Sequence, residues 1–172
     1  MAAWPVQAET LTLNGVRTEV YFSPFGGAET AIVRAIDKAA RDIRVLAYSF
    51  TSEPIEAAPV RAARRGVAVK VILDKSQRNG RGSRLHSLLD AGMPVFLDTS
   101  HAIAHNKVIV IDRKRVITGS FNFTAAAERR NAENLLILHS RKLAQEYLMD
   151  FQQHLAHARR VETSWTREAH GR

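Results

Sequence analysis

The stretch HNKVIVIDRKRVITGSFNF, residues 105–123, places a histidine and a lysine at the head of an apolar run. The run VIVI, the turn-forming DRKR and the segment VITGS together predict a β-hairpin. Side chains two residues apart on a strand project from the same face, so His105 and Lys107 should point together. Two potentially cationic groups side by side at a strand end suggest a binding or catalytic role.

The register of this hairpin decides which polar groups meet. If residues 112–115 form the loop, antiparallel pairing places Lys107 opposite Ser120 and His105 opposite Asn122. Four polar side chains would then lie on one face at one end of the hairpin. A register slip of one residue would separate them, so this prediction depends on the length of the loop.

The predicted cluster suits attack on a phosphodiester. A neutral imidazole is a nucleophile at phosphorus near its ordinary pKa of about 6.5. Lys107 would bring positive charge to the phosphoryl oxygens, and Ser120 and Asn122 would donate hydrogen bonds to them. Glu133, at the start of a following strand, would hold the second nitrogen of the His105 ring and fix its tautomer. The alternative is a solvated hairpin end that carries a histidine by chance.

The composition indicates one globular domain with a basic surface. The 172 residues are enough for one hydrophobic core, and 45% of them are apolar. Lys and Arg number 25 against 17 Asp and Glu, so the net charge of +8 predicts attraction to nucleic acid or acidic lipid head groups. A protein that is basic without binding a polyanion is the alternative.

The sequence contains no pattern typical of a disulfide, a metal site, a membrane span or a signal peptide. Cysteine is absent, which excludes disulfides, thiolate metal sites and cysteine nucleophiles. No helix-borne H-E-x-x-H motif or EF-hand loop occurs, so we expect no metal and no cofactor. No run approaches the roughly 18 apolar residues of a membrane span, and residues 1–15 are too short and polar for a signal peptide.

Strand-like and helix-like periods alternate along the chain and predict an α/β fold. We expect a mixed, mostly parallel β-sheet flanked by helices on both faces, in a single domain. The core should span about residues 18–158, with terminal extensions at 1–17 and 159–172. The site should lie at the carboxyl ends of strands, as is usual for such folds.

Apolar residues at helical spacing predict the principal helices, over residues 28–41, 53–65 and 141–158. Pro59 must kink the second helix or mark its first turn. A stripe in the last helix predicts core packing, and its members are Leu143, Tyr147, Phe151 and Leu155. His154 and His157 share a face of the same helix, and without a carboxylate partner they are predicted to be surface residues.

A basic segment runs from Arg61 to Arg84 and holds eight basic residues and one acid. Its glycine-containing second half is predicted to be a surface loop that flanks the strand ends and tracks a nucleic-acid backbone. The candidate contacts are Lys75, Arg78, Arg81 and Arg84. The alternative is a charged face that is only solvated.

The same residues resemble a known family. HNKVIVID has the H-x-K-x4-D pattern of the phospholipase D superfamily, and GSFNF and ERRNAEN continue that pattern. RVLAYSFT and ARRGVAVKVILD also match, so the resemblance runs from about Tyr21 to Ala158. Within the superfamily the sequence is most similar to the small bacterial Nuc-like endonucleases.

The resemblance implies a metal-independent phosphodiesterase that works through a phosphohistidine intermediate. By position, His105 resembles the nucleophile, and Lys107, Ser120 and Asn122 resemble the phosphate binders. Glu133 resembles the residue that orients the imidazole. Asp112 completes the motif, but it ends the strand seven residues from His105, so we expect structural hydrogen bonding from it.

One H-x-K motif must serve a reaction that needs a nucleophile and an acid. A histidine that attacks phosphorus cannot readily protonate the leaving oxygen as well. His101 is one candidate for the acid, but we favour a homodimer whose two-fold axis brings two copies of His105 together. Members of the family with a single motif support that choice.

The sequence therefore predicts an endonuclease that acts on DNA, with RNA as a further candidate substrate. A phospholipid hydrolase is the alternative enzyme, and it would need an apolar surface for acyl chains. A nucleic-acid-binding module without activity is the alternative from another class. The resemblance also favours a periplasmic or secreted location, with the signal peptide missing from the sequence in hand.

Overall fold

The computed structural model describes residues 9–162, which form one nine-stranded sheet with helices on both faces. The strands are β1 Glu9–Leu13, β2 Val16–Ser23, β3 Asp42–Ala47, β4 Ala68–Asp74, β5 Val95–Asp98, β6 Lys107–Ile111, β7 Arg115–Gly119, β8 Glu133–Leu138 and β9 Arg159–Arg160. The α-helices are α1 Ala28–Asp37, α2 Glu53–Arg64, α3 Leu85–Asp90, α4 Ala125–Arg129 and α5 Arg141–His157, and a 3₁₀ helix spans Lys75–Arg78.

The sheet is mixed, as predicted, with the strand order β1-β2-β8-β7-β6-β3-β4-β5-β9. The α/β class is confirmed, but the expectation of mostly parallel pairing is wrong. Within residues 9–162, β3-β4 and β4-β5 are parallel, and the other six pairings are antiparallel. Parallel neighbours need a crossover connection, and only α2 and α3 provide one between strands that pair.

The two outermost strands lie in segments that were predicted to be terminal extensions. β1 pairs with β2 through a two-residue loop, in which Asn14 has φ 48° and Gly15 has φ 80°. An Asn-Gly pair strongly predicts such a hairpin, but we did not predict this one. β9 contributes only two residues, which pair with the edge of β5.

Two hydrophobic clusters cover the two faces of the sheet. Ile109 and Ile111 of β6 pack on the side of α1 and α2, whereas Val108 and Val110 pack on the side of α5. All five residues of β6 are buried, which places the H-x-K strand at the centre of the fold. The predicted core stripe of α5 is confirmed, with Phe151 buried between the helix and the sheet.

The helix ends follow from local hydrogen bonds. The Ser52 hydroxyl accepts from the backbone N–H of Ile55 at 3.3 Å and caps α2, so Pro59 lies inside this helix and not in its first turn. α1 ends before the predicted limit at Arg41. The backbone N–H groups of Ala40 and Arg41 instead donate to the Asp112 carboxylate, at 3.0 and 2.7 Å.

The predicted register of the opening hairpin is wrong by one residue. Ile111 pairs with Arg115, so the loop has three residues and not four. Asp112 and Arg113 have φ of 54° and 56°, and the N–H of Lys114 donates to the Ile111 carbonyl at 3.1 Å. Lys107 therefore does not face Ser120 across a regular ladder, and another feature must bring the polar groups together.

None of the helices within residues 9–162 is long and apolar enough to cross a lipid bilayer.

Candidate active site

The H-x-K motif lies at the edge of the sheet where the carboxyl ends of several strands meet. Ala47 at the end of β3 pairs with Lys107 at the start of β6, and it also pairs with Leu73 near the end of β4. Ser23 at the end of β2 pairs with Glu133 at the start of β8. The carboxyl ends of β3, β4 and β5 therefore share an edge with the H-x-K motif.

His105 and Lys107 lie together at this edge. His105 is exposed and its ring centroid is 4.6 Å from that of Tyr48. Lys107 is buried, its Nζ is 5.3 Å from the centroid of the Tyr48 ring, and it donates to the His105 carbonyl at 2.8 Å. Tyr48 thus packs against both groups of the motif, immediately beyond the end of β3.

Burial lowers the pKa of Lys107 below its ordinary value, and the nearby Glu133 carboxylate offsets part of that effect. A cation with little surrounding water attracts a phosphoryl oxygen more strongly than a solvated cation does.

Glu133 connects the lysine to the polar groups of the neighbouring strand end. Its Oε2 accepts from the Ser120 hydroxyl at 2.6 Å, and its Oε1 accepts from the Asn131 amide at 3.1 Å. The Ser120 oxygen accepts in turn from the backbone N–H of Asn134 at 3.0 Å. The expected hydrogen bond from the His105 ring to the Glu133 carboxylate is not formed in the described part of the chain, where the two oxygens accept from Ser120 and Asn131 instead.

Gly119 explains how Ser120 reaches this position. Its φ is 151°, and a Cβ atom there would overlap the backbone carbonyl of Asn134. Only glycine lets β7 approach β8 this closely before the chain leaves the strand. The N–H of Phe121, two residues after Gly119, donates to the same Asn134 carbonyl at 3.2 Å, and the side chain of the intervening Ser120 is exposed at the edge.

Asn122 lies between two fully buried aromatic side chains, Phe121 and Phe123. The Phe123 carbonyl accepts from the backbone N–H groups of Thr51 and Ser52, both at 2.9 Å, so this segment is fixed on the loop after β3. The Asn122 Oδ1 is buried and has no hydrogen-bond partner within residues 9–162. Rotation of the amide would exchange this oxygen for an N–H donor.

Asp112 has the structural role that its position predicts. It is buried at the far end of β6 and accepts backbone N–H groups from Ala40, Arg41 and Asp42, the shortest at 2.7 Å from Arg41. Burial alone would raise its pKa, but these N–H groups and Arg115 together hold the pKa below its ordinary value. Asp112, the last residue of the H-x-K-x4-D motif, therefore stabilises the fold at the opposite end of β6 from His105 and Lys107.

The basic residues differ in how free their side chains are. Lys75, Arg78 and Arg81 are exposed, and the Lys75 ammonium donates to the His101 carbonyl at 2.8 Å, beside the loop that carries His105. Arg84 is half-buried and its guanidinium is 3.2 Å from the Glu53 carboxylate. The first three are therefore exposed cations, whereas Arg84 is held by an ion pair.

Two aspartates hold the loop 99–106 that presents His105. Asp74 Oδ2 accepts from the backbone N–H of Ala104 at 2.8 Å, and Asp98 Oδ1 accepts from that of His101 at 3.2 Å. Sequence reasoning missed both residues, together with Tyr48 and Asn134. Their positions could have identified them, because polar residues at strand ends often belong to a site. Asp74 and Asp98 each end a buried strand, Tyr48 follows the buried β3, and Asn134 follows Glu133.

The expectation that two histidines of α5 lack a carboxylate partner is wrong. His154 is buried, and its Nδ1 is 2.7 Å from Asp98 Oδ2. His157 Nε2 is 3.2 Å from the same oxygen. His101, the candidate acid within the same chain, also faces this oxygen, with its Nδ1 at 2.9 Å.

Known proteins are similar to this chain in sequence and fold. A family profile described as "Cardiolipin synthase, PLD-like domain" matches residues 32–155. A protein named phospholipase D of Rickettsia felis is 47% identical over 130 residues, which cover 76% of this chain and 65% of the relative. A second, of Rickettsia conorii, is 44% identical over 139 residues, which cover 81% of this chain and 70% of the relative.

The crystal structure of Nuc from Salmonella typhimurium, described as a phospholipase D family member, has the same architecture. The two structures match with a TM-score of 0.82 and 38% identity, over 86% of this chain and 99% of that one. The chain spans about two thirds of the length of the first Rickettsia relative, 65% of it. The chain belongs to the phospholipase D superfamily, in its branch of small Nuc-like proteins.

Proposed function

We propose that this protein is a metal-independent endonuclease, which hydrolyses phosphodiester bonds of DNA, and of RNA as a further substrate, through a phosphohistidine intermediate. The observation that carries the proposal is the buried Lys107 ammonium beside the exposed imidazole of His105, with Tyr48 packed against both. A nucleophile open to substrate and a desolvated cation at the same strand end are the groups that phosphoryl transfer needs.

The reaction takes two steps. In the first, a nitrogen of neutral His105 forms a bond to phosphorus, and the bond from phosphorus to the leaving oxygen breaks as a protonated imidazole gives that oxygen its proton. In the second, the same imidazole, now neutral, takes a proton from water, whose oxygen bonds to phosphorus while the N–P bond breaks. The products are one alcohol and one phosphomonoester, and both imidazoles return to their starting states.

The protonated imidazole is assigned to His105 of the partner subunit in a two-fold homodimer. His101 suits this step less well, because its ring is directed to Asp98 and packs against His154 and His157 of α5, with centroids 5.0 and 5.1 Å away. Large apolar side chains are exposed at the site edge, including Phe25 at 75% and Ile103 at 58%. A second copy of the chain packed at this edge would cover them.

The neighbouring polar residues stabilise the negative charge that develops on the phosphoryl oxygens. Lys107 approaches these oxygens as a cation, and Ser120 and Asn122 donate hydrogen bonds to them. The Ser120 hydroxyl now donates to Glu133, so it must turn when substrate arrives. Glu133 then becomes available to hold the His105 imidazole, which agrees with the orienting role that the family resemblance implies.

Nucleic acid fits the charges around the site. Lys75, Arg78 and Arg81 are exposed on the segment that follows β4, at the same edge as His105, and the chain has a net charge of +8. A polyanion longer than one phosphate would contact these residues in succession. A phospholipid hydrolase is the second candidate, because the exposed Phe25 and Ile103 would also suit acyl chains.

One assay separates these functions. Plasmid, single-stranded DNA, RNA and phosphatidylcholine vesicles are each incubated with the protein in excess EDTA, beside the His105→Ala variant. The proposal expects cleavage of the nucleic acids by the wild type alone, without added metal. Release of choline with intact nucleic acid would favour the phospholipid hydrolase, and DNA binding without cleavage would favour a module that only binds.

A further inference from the structure

Four metal-ligating side chains converge beside the loop that carries His105. Asp98 ends β5, His101 lies in the loop after it, and His154 and His157 lie in the last turns of α5. Asp98 Oδ2 is 2.9 Å from His101 Nδ1, 2.7 Å from His154 Nδ1 and 3.2 Å from His157 Nε2. One ligand atom from each residue lies within 4.8 Å of all the others.

Hydrogen bonding alone is a poor account of this convergence. The Asp98 side chain has no exposed surface, and three imidazoles meet one of its oxygens. The three ring centroids are 5.0, 5.1 and 5.6 Å apart. Three ring nitrogens that converge on one buried carboxylate oxygen form a donor set suited to a metal ion.

We propose that Asp98, His101, His154 and His157 form a binding site for a zinc ion. Imidazole nitrogen and carboxylate oxygen are both zinc ligands, at about 2.0–2.2 Å in four-coordinate sites. A tetrahedron with these bond lengths has edges of about 3.3 Å. The three oxygen-to-nitrogen distances, 2.7, 2.9 and 3.2 Å, already approach that edge length.

The surroundings of the four ligands also fit an ion. Asp98 Oδ1 is occupied by the backbone N–H groups of Ser100 and His101, at 3.1 and 3.2 Å, which leaves Oδ2 as the ligand atom. His154 Nε2, the nitrogen that points away from Asp98, lies 3.8 Å from the Asp150 carboxylate, beyond hydrogen-bond distance.

The histidine side chains also leave a route for the ion to enter. Those of His101 and His157 are 49% and 33% exposed, whereas that of His154 is 11% exposed. Four protein ligands fill a tetrahedral site, so the ion would be structural and would take no step in hydrolysis.

The position of the site suggests what the ion would hold in place. Asn106, between the two motif residues His105 and Lys107, has its amide nitrogen 3.3 Å from His154 Nε2. The loop 99–106 thus meets α5 at the proposed site. A zinc ion would join this loop to the last helix and restrict the segment from which His105 projects.

Zinc content and thermal stability test this inference on the untagged full chain. The protein is loaded with zinc sulfate, dialysed against metal-free buffer and analysed by atomic emission. We expect about one zinc ion per chain, and a rise of several degrees in Tm when zinc is added back to chelator-stripped protein. Cobalt in place of zinc should give the strong visible absorption of a four-coordinate ion.

Three variants locate the ion. His157→Ala removes a partly exposed ligand, and Asp98→Asn removes the buried charge with little change in size. Both should lose bound zinc and the rise in Tm, while His86→Ala, an exposed histidine of α3, should keep both. If Asp98→Asn fails to fold, His157→Ala decides. Substoichiometric zinc in the wild type, or full zinc in folded His157→Ala, overturns the inference. None of these readouts requires nuclease activity.

Discussion

The Lys107 ammonium donates a 2.8 Å hydrogen bond to the backbone carbonyl of His105. The contact fixes the ammonium next to the chain segment from which the imidazole projects, at the point where β6 begins. It also explains how the two groups stay together although His105 itself lies outside the strand. The spacing of the H-x-K motif therefore also positions the lysine beside the segment that carries the histidine.

The pKa of Lys107 predicts an alkaline limit on activity. Burial lowers this pKa and Glu133 partly restores it, so the net shift is downward. A lowered pKa means that the ammonium loses its proton at a lower pH than an ordinary lysine, which titrates near 10.4. If the charge is needed for catalysis, kcat/KM should fall on the alkaline side and begin to do so below that value. A pH profile on a short DNA substrate measures this.

Two variants assign that alkaline limb. Lys107→Arg keeps a charge up to much higher pH, so its remaining activity should not show the limb. Glu133→Gln removes the anion that raises the pKa of Lys107, so the limb should move to lower pH. An unchanged limb in Lys107→Arg would show that a different group is titrating.

Asp112→Asn should destabilise the fold at neutral pH. The variant weakens a charged acceptor for the backbone N–H groups of residues 40–42, and we expect the free energy of unfolding to fall by about 1–3 kcal/mol. Burial would raise the pKa of Asp112, but these N–H groups and Arg115 lower it more, so its pKa in the folded protein is below the ordinary value. The difference in free energy of unfolding between wild type and variant should therefore be complete above about pH 4. It should shrink as the pH falls through the pKa of Asp112 in the folded protein.

Urea unfolding of both proteins between pH 2 and 7 measures this difference. The mutation removes the carboxylate, so the two stabilities should converge at the acid end. A difference that stays constant over the whole range would mean that charge is not the cause.

The role of Asp112 and the fold class could both be predicted from the sequence. Alternating strand-like and helix-like periods predict the α/β class, and helical spacing locates α1, α2 and α5, because each of these helices buries an apolar face that its own residues define. The structural role of Asp112 follows from its seven-residue distance to His105. Both predictions depend on local spacing, which a single sequence contains.

The hairpin register and the histidine cluster could not be predicted in the same way. The turn at Asp112 and Arg113 has two positive φ angles without glycine, held by contacts of Asp112 with a segment 70 residues away. Asp98 and His154 meet only through tertiary folding, across 56 positions. Neither distance can be read from local periodicity.

Arg78 and Arg81 should contribute to binding through charge alone. Replacing both with Gln should weaken DNA binding and lower the slope of log affinity against log salt by about 0.9 for each phosphate of duplex DNA that these side chains neutralise. Arg17→Gln is a control for the loss of a single charge away from the site, because Arg17 is exposed at the opposite end of β2. Fluorescence anisotropy at several salt concentrations measures the slopes. Equal slopes in the double variant and the wild type would place the DNA elsewhere.

A shared site makes a quantitative prediction for mixed dimers. Wild type and His105→Ala are unfolded and refolded together at fixed total protein, so that subunits pair at random. A mixed dimer lacks one of the two imidazoles and should be nearly inactive, since removal of such a group costs roughly 10² or more in rate. Activity should then follow the square of the wild-type fraction, with about a quarter remaining in an equal mixture.

If the two sites were independent, activity would rise linearly with the wild-type fraction, and an equal mixture would retain one half of the full activity. A mass tag on one of the two proteins confirms that subunits have exchanged. A linear plot with confirmed exchange would return His101 to consideration as the acid.

Chemical trapping of the intermediate tests the central claim most directly. A reaction with excess DNA is quenched in base within one turnover, digested, and the peptide that contains His105 is examined by mass spectrometry. The account predicts phosphate-linked nucleotide on His105, stable in base and labile in acid. It also predicts that His105→Ala loses most activity while it keeps its DNA affinity. Two results together would contradict the account: an unmodified His105 peptide, and a His105→Ala variant that cleaves within about tenfold of wild type. A tenfold change in rate corresponds to only about 1.4 kcal/mol.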